Sequence, residues 1–320
     1  MTLPASPEYT DAVVITDDHT HPELKTHPPA GDTPVELADG LTIERIPAEL
    51  AERFIEACEP PGEEWDPRRQ FAQLYSFVRR GSIDESRHFI FDPDELIQTA
   101  LQLSRLLVPN GHSTEYAVHM LDHAAFPFRK GPVIVPLAAH ARSYAFHPGL
   151  SLRDWLTTED AIELGVLLHR FLEVRGSLPG RVREAMWWCG WTARTPFIQP
   201  AHANTVSALE AFLSTDVTNL RAQFVVWSLA LAGELDVSEV DAELLDRVYT
   251  YRSRVTHGEF VKMDRGGTEV RDLHRVQAVL RAGIRRGIED SDFAASFERP
   301  ESIRARWPVP PKWRGSLGLA

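Results

Sequence analysis

Apolar and polar residues follow two different periods along this chain, and the change of period divides it. Leu41-Thr42-Ile43-Glu44-Arg45-Ile46 alternates at every second residue, the period of a half-buried strand. Pro47 then opens a helix carrying Leu50, Phe54, Ile55 and Cys58, which Pro60-Pro61-Gly62 ends. Residues 73–79, 87–91, 115–121 and 132–137 predict further strands, and Asp94 caps a helix carrying Ile97, Leu101, Leu103 and Leu107 that stops at Pro109-Asn110-Gly111. Residues 1–36 are rich in Pro, Asp, His and Thr and carry only one short apolar run, Ala12-Val13-Val14-Ile15, so they predict an extended or mobile arm. Residues 37–150 predict a small α+β domain whose role the pattern does not assign.

Beyond Ser151 the strand signals stop and the period becomes helical. Helices are predicted over 158–174, 179–189, 200–213, 219–233, 238–257 and 268–288. The fourth is apolar nearly all round, through Phe224, Val225, Val226, Trp227, Leu229, Ala230 and Leu231, which marks the central helix of a bundle. The fold expected is therefore α+β overall, with an all-α helical bundle over 151–290. Residues 291–320 carry Pro300, Pro308, Pro310 and Pro311 beside Trp307 and Trp313, and predict an extended tail that straps onto the fold.

Composition narrows the function classes. A chain of 320 residues, 43% hydrophobic and 25% charged, buries a large core. Its formal charge of −12 argues against indiscriminate binding of nucleic acid by the whole molecule, so only a local basic face would do this. Cys58 and Cys189 stand far apart without metal spacing, which offers no disulfide framework and fits a reducing cytoplasm. Glu8, Asp11, Asp17 and Asp18 precede the first lysine, Lys25, the wrong charge for a signal peptide. The longest apolar run, 224–232, is too short to span a bilayer, so a soluble cytoplasmic protein is expected, with no membrane partner.

The chemistry concentrates in Val248-Tyr249-Thr250-Tyr251-Arg252-Ser253-Arg254-Val255-Thr256-His257-Gly258. Ser238 and Asp241 supply a helix start and Gly258 a stop. Val240, Leu244, Leu245, Val248, Tyr251 and Val255 then form one apolar stripe, with Arg252 roughly 40° from Val248 at its edge. An arginine there needs a partner, because an unpaired buried guanidinium is costly. Arg252 suits the charge that develops on phosphate oxygens, and His257 at the helix end suits proton transfer to or from a ribose 2′-hydroxyl or a leaving oxygen. Neither role requires a metal or other cofactor. Residues five apart lie roughly 140° apart on a helix, so one copy closes poorly around a phosphate, whereas two copies across a symmetric dimer would close around it. The competing reading is a capping histidine and an arginine paired to a core acid such as Glu210.

The run VYTYRSRVTHGE, the upstream ALEAFL at 208–213 and the intervening RAQFVVWSLAL resemble the HEPN superfamily, specifically prokaryotic proteins with an ApeA-like HEPN domain. The similarity covers roughly 160–290. It rests on Tyr249, Arg252, Ser253, His257 and Gly258 standing in register behind Ala208-Leu209-Glu210. The resemblance implies an all-helical bundle that dimerises, and many such proteins are metal-independent endoribonucleases of toxin, abortive-infection or other anti-phage defence systems. It implies Arg252 and His257 as paired catalytic positions and Ser253 as the polar residue beside the arginine, where established nucleases often carry Asn, Asp or His. It also implies RNA as ligand and an antitoxin or defence-system partner. The alternative within the same resemblance is a non-catalytic scaffold or RNA- or partner-binding module.

Other signals are weaker. On the last long helix Arg271, Arg275, Arg281, Arg285 and Arg286 gather within roughly 140°, opposite Leu273, Val276, Leu280 and Ile284, a stripe that would hold an RNA backbone or be merely solvated. Glu210, Tyr249 and Arg254 are candidates for support or RNA contact around the Arg252 site. His19 and His21, with His27 nearby, look like the HxH of a metallohydrolase, but the βα units that would complete such a site are missing from the pattern. His119 and His123 have i, i+4 spacing but lack the glutamate of a zinc protease motif. Trp187, Trp188 and Trp191 suit core or interface packing better than base stacking.

Overall fold

The computed structural model describes residues 8–16, 34–45, 75–82, 95–108, 113–121, 133–136, 158–193, 198–259 and 267–317. The chain divides into two compact units: 1–104, 110–145 and 152–169 make the first, and 105–109, 146–151 and 170–320 the second.

The first unit is built on strands β1 (Glu8–Thr16), β2 (Val35–Ala38), β3 (Leu41–Arg45), β4 (Tyr75–Ser82), β5 (Ser113–Leu121) and β6 (Val133–Pro136), with helix α1 (Glu95–Leu107) between β4 and β5. All pairs are antiparallel, in the order β2-β3-β4-β1-β5-β6. The expected α+β class is thus present. Residues 8–16, expected within an extended or mobile arm, instead form an interior strand, with Val13 opposite Phe77 on one side and Ala117 on the other. The short apolar run that interrupts the arm is what the sheet uses. The helix predicted after Pro47 and the strand at 87–91 lie outside the described residues.

The β2–β3 hairpin turns through Asp39 and Gly40, both at positive φ (44° and 75°), the backbone of a tight two-residue turn that matches strand twist. Leu37, Leu41, Ile43, Phe77 and Val78 are buried around it. Helix α2 (Thr158–Val174) begins in this unit and crosses the division between His169 and Arg170, so the bundle boundary expected at 151 falls inside a helix. Gly165 explains why: a Cβ there would stand 3.3 Å from the Leu37 carbonyl oxygen, so the helix lies directly on the hairpin backbone.

The second unit is helical: α3 (Gly180–Ala193), α4 (Ile198–Leu213), α5 (Leu220–Glu234), α6 (Ala242–Thr256) and α7 (Thr268–Glu289), then the short α8 (Ser291–Ala295), α9 (Pro300–Arg306) and α10 (Pro311–Arg314). The long helices follow the predicted ones within a few residues. The start of α6 differs: Glu239 takes φ 65°, and Asp241 alone caps the helix by accepting the Leu244 N–H at 2.7 Å. α5 packs on α4, α6 and α7 and is buried without a break from Gln223 to Ser228, as a central helix must be. The tail is helical rather than extended, because Asp290 caps α8 and the ends of its helices carry aromatic anchors. Phe297 stacks on Phe212 at 4.0 Å, Phe293 and Trp307 pack around Phe297, and the Trp307 indole N–H donates to Glu234 at 2.7 Å.

A polar layer lies inside this unit. His202 on α4 is fully buried, donates from Nε2 to the Glu269 carbonyl oxygen at 3.1 Å, and packs on Tyr251. Burial pushes its pKa from 6.5 down to about 4. Asp272, 2% exposed at its side chain, accepts from Arg247 at 2.9 Å.

Two stability predictions follow from this packing. Unfolded His202 takes up a proton near pH 6.5 and the folded ring only near 4, so its neutral form contributes fully above about 6.5 and that contribution is lost as pH falls towards 4. The shift corresponds to on the order of 3 kcal/mol at its limit. Urea unfolding at about pH 7 and about pH 4.5 should show stability falling with acid, and His202→Gln, which keeps a donor for the Glu269 carbonyl, should flatten the fall. At Gly283 an added Cβ would meet Phe212 Cε1 at 2.8 Å and Leu231 Cδ2 at 3.2 Å, while the Phe212 ring is pinned by Phe297. Gly283→Ala should therefore cost about 1–2 kcal/mol net, overpacking outweighing the gain in helix propensity, measured by the same denaturation.

Candidate functional site

Helix α6 carries the candidate residues to its C-terminal end. His257 caps the helix, donating its backbone N–H to the Ser253 carbonyl oxygen at 3.0 Å, and Gly258 at φ 81° turns the chain away, with Glu259 N–H reaching back to the Arg254 carbonyl. Leu244, Leu245 and Val248 are buried on the apolar stripe, and Tyr251 and Val255 half-buried.

Arg252 reaches α4. Its Nη2 donates to Glu210 Oε2 at 3.0 Å, and its guanidinium lies 5.6 Å from the centre of the Tyr249 ring. The Tyr249 hydroxyl donates to the other Glu210 oxygen, Oε1, at 3.2 Å. Burial and then the Glu210 charge hold the Tyr249 pKa above the usual phenol value. One carboxylate thus organises an arginine and a tyrosine one turn apart, as the Arg–acid reading of the sequence anticipated. That bond uses one of the five guanidinium N–H donors, and Arg252 is 25% exposed, so donors remain for an outside ligand. Among the described residues neither the Ser253 hydroxyl nor the His257 ring makes a hydrogen bond inside the fold, and His257 is exposed.

α6 is also tied to α7, through Arg247 to Asp272 and Tyr251 to Glu269 Oε1 at 2.6 Å. Burial and that carboxylate push the Tyr251 pKa up to about 12, while the Tyr251 hydroxyl helps hold Glu269 below the usual carboxylate range. No motif in the sequence announces Tyr251, Glu269, Asp272 or His202 as one network, since they sit on three helices.

The arginine stripe of α7 does not form an open basic face. Arg275 pairs with Glu239 at 2.6 Å, Arg285 with Glu289 at 2.7 Å and Arg286 with Asp290 at 2.7 Å, and Arg271 donates to Thr268 at 3.3 Å. Arg281 is half-buried beside Cys189, and burial lowers its pKa from the ordinary arginine value. Arg254 pairs with Glu259 at 2.7 Å. Helical spacing places the α7 arginines on one face, but acids one turn away or on a neighbouring loop neutralise three of them.

Trp187, 51% exposed, makes edge contacts with Trp188 and with Trp191, itself 43% exposed, so this trio is a surface cluster rather than core. His119 lies in strand β5, which removes the helical i, i+4 pairing with His123; the side chains of the remaining metal candidates, His19, His21, His27 and His123, lie outside the described residues. Among the described residues no group of three His, Cys, Asp or Glu side chains could hold a metal ion, and no helix is long and apolar enough to cross a membrane.

A groove of about 940 Å³ opens between the start of α5, the outer face of α6 and the C-terminal segment, where Val225, Tyr249 and Trp313 line it. Trp313 is 64 residues from Tyr249 along the chain (313 − 249), and no local pattern connects them.

Searches of protein-family models, of curated proteins and of solved structures returned no match to this chain.

Glu210 joins Arg252 and Tyr249, so Glu210→Gln should lower stability by about 1 kcal/mol, a value reduced by the partial exposure of the pair. Combined with Arg252→Ala in a double-mutant cycle of urea unfolding, it should show coupling of at least about 0.5 kcal/mol.

Proposed function

We propose that this chain is a metal-independent endoribonuclease of the HEPN type, acting in a prokaryotic defence or toxin system, with a composite site formed by the Arg252 and His257 motifs of two copies. The observation that carries the reading is the unspent chemistry at the end of α6. Arg252 keeps free N–H donors, and half-buried Ser253 and exposed His257 offer polar groups that make no side-chain hydrogen bond among the described residues. His257 would take the proton from a ribose 2′-hydroxyl or give one to the leaving 5′ oxygen. The 2′ oxygen attacks the adjacent phosphorus, the P–O5′ bond breaks, and the products are a 2′,3′-cyclic phosphate and a 5′-hydroxyl, with no water or metal consumed. Arg252 would stabilise the charge on the non-bridging oxygens. Because Arg252 and His257 stand roughly 140° apart around one helix, a second copy related by a twofold axis would bring the missing half of each site.

A second reading has its own support. The Glu210–Arg252–Tyr249 cluster already gives Arg252 a task, that of stitching α6 to α4, which suits a non-catalytic HEPN-type scaffold that binds RNA or a partner.

The deciding experiment is cleavage of single-stranded RNA by the purified protein in EDTA. Cleavage leaving cyclic phosphate ends is expected, slowed about 10²- to 10⁴-fold by His257→Ala. Equal activity of wild type and His257→Ala, or none in either, would overturn the nuclease reading. In that event the scaffold reading expects Arg252→Ala to change oligomeric state in sedimentation or to lower the unfolding midpoint.

A further inference from the structure

The groove beside α6 runs in line with the candidate site. Ala242, Asp246 and Tyr249 line it, and at about 100° per residue Ser253, Thr256 and His257 fall in the same ~100° band of the helix. Tyr249 belongs to both places: it lines the groove, and its hydroxyl shares Glu210 with Arg252. From Tyr249 to His257 the axial distance is about 12 Å, which a stacked strand covers in about three nucleotides.

The chemistry of the groove differs from that of a phosphate site. Its lining includes the apolar Leu220, Ala222 and Val225 and the aromatic Trp313. Its charges are balanced: Arg221 is held by Asp246 through two hydrogen bonds of 2.6 and 2.5 Å, and Arg247 by Asp272. A phosphate gains little from cations already paired, and the lining carboxylates of Asp246 and Glu243 repel it. A neutral heteroaromatic ring suits this lining, which combines aromatic and apolar side chains with N–H donors and carboxylate acceptors for its edge.

We propose that the groove bordered by Trp313, Tyr249 and Val225 is a nucleobase pocket, which takes one unstacked base of a single-stranded RNA whose backbone runs along α6 past Arg252 towards His257, and so sets sequence preference. This rests on the ribonuclease reading for the phosphate site, but its test is separate. Single-stranded oligonucleotides with 2′-O-methyl sugars, one of each base, cannot be cleaved by 2′-oxygen attack and report binding alone by fluorescence anisotropy. The wild type should discriminate among the four bases. Trp313→Ala should weaken the preferred oligonucleotide about tenfold and reduce discrimination, within the range for loss of one base–aromatic stack, while Trp313→Phe should stay within about threefold of wild type. Ala222→Trp, which fills the groove from α5, should reproduce Trp313→Ala, with thermal unfolding confirming that both variants fold. The matching free nucleoside monophosphate should bind at least about tenfold more weakly than the oligonucleotide, since it lacks the strand that reaches Arg252.

Unchanged affinity and preference in Trp313→Ala and in folded Ala222→Trp would overturn the pocket, as would no binding by the wild type or equal binding of the free nucleotide. Cleavage of unmodified RNA in EDTA, run alongside, keeps the two claims apart. Cleavage with no dependence on Trp313 overturns the pocket alone, and Trp313-dependent binding without cleavage overturns the nuclease alone.

Discussion

The helical unit depends on one close approach, that of the Phe212 ring on α4 to the bare Cα of Gly283 on α7. The ring occupies space that any side chain at 283 would claim, and Phe297 behind it closes the stack at 4.0 Å. Interiors are packed densely enough that such a contact sets the register of two helices. α4 is thereby fixed along α7, and Glu210, two residues before Phe212 and so roughly 200° round the helix, is presented to α6. Arg252 and Tyr249 then find their carboxylate. The order of cause runs from a shape constraint in the core to the geometry of the candidate site.

Charge in this protein is spent mostly on itself. A net charge of −12 leaves an excess of acids, and the arginines of α6 and α7 that looked available are largely taken by them. Exposed pairs of this kind contribute little to stability, yet they remove the field that a basic stripe would have offered to RNA. What remains for a ligand is local: the unused donors of Arg252, the open ring of His257, and the balanced groove along the same helix face. This favours recognition by a few directed contacts over broad electrostatic adhesion.

The same helix face carries stabilising contacts and the candidate chemistry, which brings the two into tension. Glu210 orients Arg252 and also competes with any phosphate for it, so the carboxylate that makes the arginine affordable near the core limits how strongly it binds an anion. Tyr251 and Glu269, with His202 packed beneath, hold the opposite flank of α6 to α7 and leave the Ser253 and His257 side to solvent.

Much of the fold was legible in the sequence. The helices of the second half announce themselves through period, caps and glycine stops, because those signals are local: Asp241 and Gly258 bound α6 by their own hydrogen-bonding and backbone preferences. Candidate chemistry was legible to the same extent, since Arg252, Ser253 and His257 lie within one helix, and the Glu210 partnership was anticipated. Tertiary structure decided the rest. Residues 8–16 became an interior strand because β4 and β5 pair on both their edges, and the tail became helical because Phe297 and Trp307 have places to dock. Arg281 came to lie half-buried beside Cys189, three of its neighbours on α7 were neutralised, and Trp313 and Tyr249 came to line one groove. A sequence fixes what each residue prefers over the span of a turn or a helix; which residues from distant segments share a space, and which charges cancel, is settled only when the helices pack.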